Sequence, residues 1–297
     1  MSKPQSLSEA SPIQPKQDLV FRFRPTVEPQ GTELQMYKGP EWLSWDAINR
    51  ELHGIPSPEA VERGYFDFQM AARDHPEEAF GFRIAVISDP LVRHAWHLKN
   101  TGQKAFAWFP GVFGHDINVH EAWQLGLTGR GIKVRIVDTG MYVHHPDLKA
   151  NINFQDSFNY EAERNPSGCQ ICTANDPSPA PFPGQVGDQG TAVAGVIAAV
   201  GWNGIGSRGI APNASISAHN VTSPRLFRKF ETYGFTVQEG VDIVTQGHSD
   251  WNPNQERNHL YSDLSLYVQK IYQNVYEQSG RGGLGTVFIK AAGDQAR

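Results

Sequence analysis

Residues Gly131 to Leu148 read GIKVRIVDTGMYVHHPDL, and the fold is decided here. Ile132, Val134 and Ile136 alternate with Lys133 and Arg135, and Val137 leads into Asp138-Thr139-Gly140. This pattern predicts a short strand that runs inward and ends in a carboxylate on a glycine turn. In open α/β sheets, chemistry gathers outside the carboxyl ends of the strands, which is where Asp138 falls. Taken alone, a strand-end Asp also reads as a turn residue capping the loop that follows.

Working outward, Gly190 to Val200 is small and apolar on every side, which predicts a helix buried in a core. Ala214 to Val221, Val241 to Val244 and Thr286 to Ile289 read as strands. Ser262 to Ser279 sets Leu264, Ile271, Tyr272 and Val275 on one helical face, with Gly280 past its end. Strands alternating with helices imply an α/β fold, a parallel sheet with helices on both faces. Ahead of this, residues 1 to about 35 are polar, Pro-rich and without period, which predicts disorder. Trp42, Trp45, Ile48 and Leu52 recur at helical spacing, and Pro58 to Ala72 reads as a second helix. Residues 1–87 are therefore read as an extension with one or two helices, and 88–297 as the main domain.

The chain has 297 residues, 39% of them hydrophobic, and a net charge of -5. No basic stripe argues for nucleic acid, and no apolar run approaches the length of a membrane span. The opening MSKPQSLSEASPIQPKQ lacks the apolar core of a signal peptide, so the sequence assigns no location. Cys169 and Cys172 form a single C-x-x-C pair in a loop rich in Pro, Ser and Asn. One pair supplies two of the four ligands of a structural zinc, and no matching second pair occurs. A loop staple, two idle thiols and a redox pair remain open for it.

Several motifs stand in order: SDPLVRHAWHLKNTGQ from Ser88, DINVHEAW from Asp116, and GLTGRGIKVRIVDTG. HPDL at His145, QGTAVAGVIAA at Gln189, and GRGGLGTVFIKAAGD from Gly280 follow. Together they resemble the subtilisin-like serine peptidases, and within them the kexin-like, or proprotein convertase, branch. The resemblance implies a subtilisin-like parallel sheet and a serine endopeptidase acting on peptide or protein substrates. Such enzymes need a Ser nucleophile, a His base, an Asp that orients the base, and donors for the oxyanion.

Carried over residue by residue, Asp138 matches the triad Asp. Gln189 stands where the triad His precedes Gly-Thr, and an amide cannot take up a proton near neutral pH as imidazole does. Asp294 follows Ala291-Ala292-Gly293, the place of the oxyanion Asn, although one kexin-like subgroup carries Asp there. No Gly-Thr-Ser, the nucleophile motif, occurs in these 297 residues, so the domain reads as cut before its last third. The substrate-binding segment aligns with Gly247, His248, Ser249 and Asp250, where His248 replaces a Trp.

The family's calcium site is implied at the carboxylates of Asp116 and Asp147, the Asn203 side chain, and the carbonyls of Val200, Ile205 and Ser207. Carboxylates with neutral oxygens from a glycine-rich loop suit a hard cation, while both acids also read as ordinary turn residues. Three readings follow: a serine endopeptidase relative inactive as written, a calcium- and peptide-binding pseudoprotease, or a remnant that only self-associates through exposed core.

Overall fold

The computed structural model describes residues 16, 20–24, 33–56, 65–159, 189–220, 241–246 and 284–290. Contacts divide the chain into two units. Met1–Leu127 with Gly201–Ser207 forms the first, and Thr128–Val200 with Arg208–Arg297 the second. The family-like segment from Ser88 to Leu127 is thus grouped with the N-terminal residues.

The first unit is built of β-structure where two helices were expected. Its strands are β1 (Phe21–Phe23), β2 (Leu34–Lys38), β3 (Leu43–Asp46), β4 (Glu51–Gly54), β5 (Tyr65–Ala72) and β6 (His75–Ala85). They form two three-stranded antiparallel sheets, ordered β1-β4-β3 and β2-β5-β6. The helical spacing of Trp42, Trp45, Ile48 and Leu52 fails at Ile48, which is 94% exposed. There the Asp46 carboxylate accepts the backbone N–H groups of Ile48 and Asn49, and the turn it closes joins β3 to β4. Asp and Asn favour such local bonds over a helix ladder. In β5 the alternation is visible in sequence: Phe68 and Met70 are buried while Asp67 and Gln69 face solvent. Phe21, Leu34, Leu43, Leu52, Phe68 and Met70 make one core, so Phe21 is ordered within a stretch expected to be disordered. A short helix α1 (Val119–Gln124) follows, burying Val119 and Trp123.

The second unit holds the expected parallel sheet. Its strands are β7 (Lys133–Asp138), β8 (Phe158–Asn159), β9 (Ser215–Asn220), β10 (Ile243–Gln246) and β11 (Val287–Lys290). Their order is β11-β10-β7-β9-β8, every pairing is parallel, and the inward strand read from Ile132–Val137 lies at the centre. On one face Val134, Ile136, Ile216 and Ala218 pack with Met141, Val143 and Leu148 under helix α2 (Gln189–Ala198). The helix is buried along one stripe, Gly190, Ala194 and Ala198, and not on every side, since Val196 is exposed. The helix expected at Ser262–Ser279 and the cysteine pair lie outside the described residues.

On the other face the sheet carries a buried polar cluster. Arg135 donates to the Asp156 carboxylate at 2.8 Å, and the Ser217 hydroxyl donates to its second oxygen at 3.1 Å. His219 Nε2 lies 3.0 Å from the Asp156 carbonyl. A carbonyl only accepts, so this nitrogen carries the ring proton. Burial pushes His219 down to about 3, with Arg135 adding repulsion and the Asp156 carbonyl opposing it.

An unfolded histidine titrates near its ordinary value of 6.5, so between there and about 3 the unfolded chain holds one more proton. Stability contributed by neutral His219 is therefore present above pH 6.5 and lost as pH falls towards 3. His219→Val should flatten the acid limb of a denaturant-measured stability curve by up to roughly 1.4 kcal/mol per pH unit. Parallel acid limbs for the two proteins would show that His219 does not titrate on unfolding.

Candidate active site

Parallel register places the carboxyl ends of three strands in line, pairing Asp138 with Asn220 and Asn220 with Asn159. All three are buried. The two asparagines went unnoticed in sequence; their only signal is an amide at the end of a short strand.

Asp138 leaves β7 with its Oδ1 accepting the Thr139 N–H at 2.7 Å. Its Oδ2 is buried and has no hydrogen-bond partner among the described residues. The carboxylate is 1% exposed. A buried carboxylate oxygen with no donor is costly, and it marks a place where an N–H belongs.

Helix α2 begins at this point. A Cβ added to Gly190 would overlap the Gly140 carbonyl oxygen and lie 3.0 Å from the Asp138 Cβ. Only glycine permits that approach, and it brings position 189, the first residue of α2, beside the strand end. The Thr191 hydroxyl accepts the Tyr142 N–H at 2.9 Å, tying the loop after the DTG turn to the same helix. Asp138 and Gln189 are thus brought together, with Gln189 exposed at the helix start and Asp138 beneath it. Asp294 and the segment Gly247, His248, Ser249 and Asp250 lie outside the described residues.

The five-stranded parallel sheet of this unit has counterparts among known proteins. A profile of the subtilase family (Peptidase_S8) matches residues 129–296. The chain belongs to the subtilase family. It is 30% identical to neuroendocrine convertase 2 of Homo sapiens over 214 residues, which are 70% of this chain and 30% of that protein. It is also 30% identical to furin-1 of Xenopus laevis, over 71% of this chain and 24% of that protein. Among solved structures, the Aeromonas sobria serine protease in complex with its chaperone ORF2 matches with a TM-score of 0.54 and 29% identity. That match covers 70% of this chain and 32% of the protease. The chain therefore spans about a quarter to a third of the length of these relatives.

The subtilase glycine at position 190 meets two opposed effects. Ala is favoured over Gly inside a helix by about 1 kcal/mol, but filling a space already occupied by backbone costs about 1–3 kcal/mol or more. The clash wins, because Gly140 and Asp138 belong to the central strand and its turn.

The residues implied for calcium divide between the units. Asp147 and Val200 belong to the second, where the Val200 N–H donates to the Asp147 carbonyl at 2.8 Å. Asp116, Asn203, Ile205 and Ser207 belong to the first. Asp116 is used locally: its two oxygens accept the Asn100 and Asn118 N–H groups, each at 2.8 Å. Those bonds, Asn100 first, hold its carboxyl below the usual range.

The carboxylate that meets the Asn203 loop is Asp89. It is buried and accepts the N–H groups of Trp202 at 2.8 Å, Asn203 at 2.9 Å and Gly204 at 3.3 Å. Trp202 also packs edge-on against Trp123 of α1, and the Asn203 side-chain oxygen accepts the Ile205 N–H. Sequence reading passed over Asp89 although it sits in the Ser88-Asp89-Pro90 motif, because 114 residues separate it from Asn203.

Gly190→Ala should lower the melting temperature by several degrees, at about 2–4 °C per kcal/mol for a protein of this size. Calorimetry showing an unchanged or raised melting temperature would mean that α2 does not approach β7 this closely.

Proposed function

We propose that this chain is a subtilase-family serine endopeptidase relative in which general-base catalysis has been lost. The observation that carries the reading is the buried Asp138 carboxylate with an unsatisfied Oδ2, beneath a helix that starts with Gln189 where the family has histidine. In a working triad the Asp carboxylate holds an imidazole N–H, and the other ring nitrogen takes the proton of the attacking serine. Asp138 keeps the geometry of the first task. Gln189 removes the second, because its amide gains no proton in the neutral range. Peptide or protein chains are the substrate class that the family suggests, and in this chain they would be bound without being cut.

The proposal extends to calcium in the first unit, since its residues offer the oxygens a hard cation takes. Asp89 would contribute a carboxylate, Asn203 its side-chain oxygen, and Ile205 and Ser207 their carbonyls. Bound there, calcium would supply positive charge that fixes the 202–207 loop. This departs from the sequence expectation in three residues: Asp89 stands in place of Asp116, and Asp147 and Val200, which belong to the second unit, are left out.

Two experiments test these readings. The chain should not react with a fluorophosphonate serine probe. In Gln189→His the introduced imidazole should bond Asp138 Oδ2 and titrate above its ordinary value. A raised folded value adds stability that is full below the unfolded pKa and lost as pH rises through the folded one. An introduced imidazole with an ordinary titration by NMR would show that position 189 is not the base position, and stoichiometric probe labelling would overturn the inactive reading. For calcium, millimolar ion should raise the melting temperature by mass action. Asp89→Ala should abolish that rise while Asp116→Ala keeps it; the reverse pattern would return the site to Asp116.

A further inference from the structure

The segment between Asp89 and Asp116 forms a closed loop with an unusual tip. Its base is tightly bonded. Asp116 accepts the Asn100 N–H, the Asn100 side chain donates to the His115 carbonyl, and the Gly114 N–H returns to the Asn100 carbonyl at 2.8 Å. Gln103 braces the interior by donating to the Lys99 carbonyl at 2.8 Å and accepting the Thr101 N–H at 2.7 Å. On this frame the sequence AFAWFPGVFG displays its large side chains to solvent. Phe106 is 90% exposed, Trp108 92%, Phe109 82% and Phe113 79%, with Val112 exposed beside them. Phe106 is held at a φ of 62°, a conformation that a bulky residue rarely adopts. Scattered exposed apolar residues need no explanation, but four aromatic rings on one braced loop do.

The charge around the tip indicates what covers it. From Pro90 to His115 there is no Asp or Glu, while Arg93, Lys99 and Lys104 are all exposed. The segment carries +3 in a chain whose net charge is -5. Aromatic rings flanked by exposed cations match the headgroup region of an anionic bilayer, where amphipathic rings settle and lysines meet lipid phosphates. A symmetric contact with a second copy would instead oppose the same cations to one another.

We propose that the Asn100–Asp116 loop docks this protein on an anionic lipid surface, with Trp108, Phe109 and Phe113 entering the interface and Lys99, Lys104 and Arg93 holding the headgroups. This needs no membrane-spanning segment, and among the described residues no helix is long and apolar enough to cross a membrane.

The full chain should co-sediment with vesicles of equal parts phosphatidylcholine and phosphatidylserine, and not with pure phosphatidylcholine vesicles. Rising salt should weaken the binding. The triple change Trp108→Ala, Phe109→Ala and Phe113→Ala should reduce it at least tenfold, with the circular dichroism and melting temperature unchanged because these rings lie outside the core. Lys99→Glu with Lys104→Glu should reduce it by roughly 30-fold or more, each lysine at such a surface being worth roughly fivefold. No binding to the mixed vesicles, or equal binding by wild type and both variants, would overturn the proposal. So would lipid-free, concentration-dependent oligomers that the triple change abolishes, since the tip would then meet a second copy.

Discussion

Helix α2 reaches the carboxyl end of β7 only because Gly190 carries no side chain, and the second unit depends on that approach. A methyl group there would overlap the Gly140 carbonyl, which belongs to the turn that presents Asp138. The same contact sets the position of the first helical residue. The small stripe Gly190, Ala194 and Ala198 continues the close packing along the helix, and Gly209 extends it, since a Cβ there would overlap the Ala198 backbone. The placement of Asp138 beside the helix start and the packing of the core are therefore one constraint. Gln189 is exposed at the helix start, so this packing does not depend on its side chain.

Carboxylates do much of the remaining organisation, each with a different partner. Asp89 gathers three amides of the 202–204 loop, Asp116 closes the base of the Asn100 loop, and Asp156 pairs with Arg135 under the sheet. Asp89 and Asp156 satisfy donors that would otherwise be left in a dry environment, while Asp116 ties a partly exposed loop. Asp138 is the contrast: one of its oxygens is buried with no donor among the described residues. A buried pair such as Arg135–Asp156 also fixes one arrangement of the sheet face, since separating its members would strand a charge.

The first unit shows why local spacing misled. Trp42, Trp45 and Leu52 do share a buried side, but they reach it from two paired strands and the turn that leads into the first of them. Period-two alternation in Phe66, Asp67, Phe68, Gln69 and Met70 was written plainly, yet the Pro58 start drew the reading towards a helix. Strand pairing there is decided by partners distant in sequence, as when Leu34 meets Ala72, and no window of a dozen residues contains both.

What the sequence by itself determined was whatever is encoded locally. The alternation of β7, the DTG turn, the small-residue helix at Gln189–Ala198 and the short strands near residues 215, 243 and 287 all follow from side-chain pattern within a few residues. That glutamine precedes Gly190-Thr191 is likewise a fact of composition at one place. Only the tertiary structure decided which residues converge. It aligned Asn159 and Asn220 with Asp138, set Gly190 against Gly140, and chose Asp89 over Asp116 as the acid on the Asn203 loop. The physical reason is that a hydrogen bond or a steric contact acts over a few ångströms, whereas the residues that make it are separated by tens to more than a hundred positions along the chain.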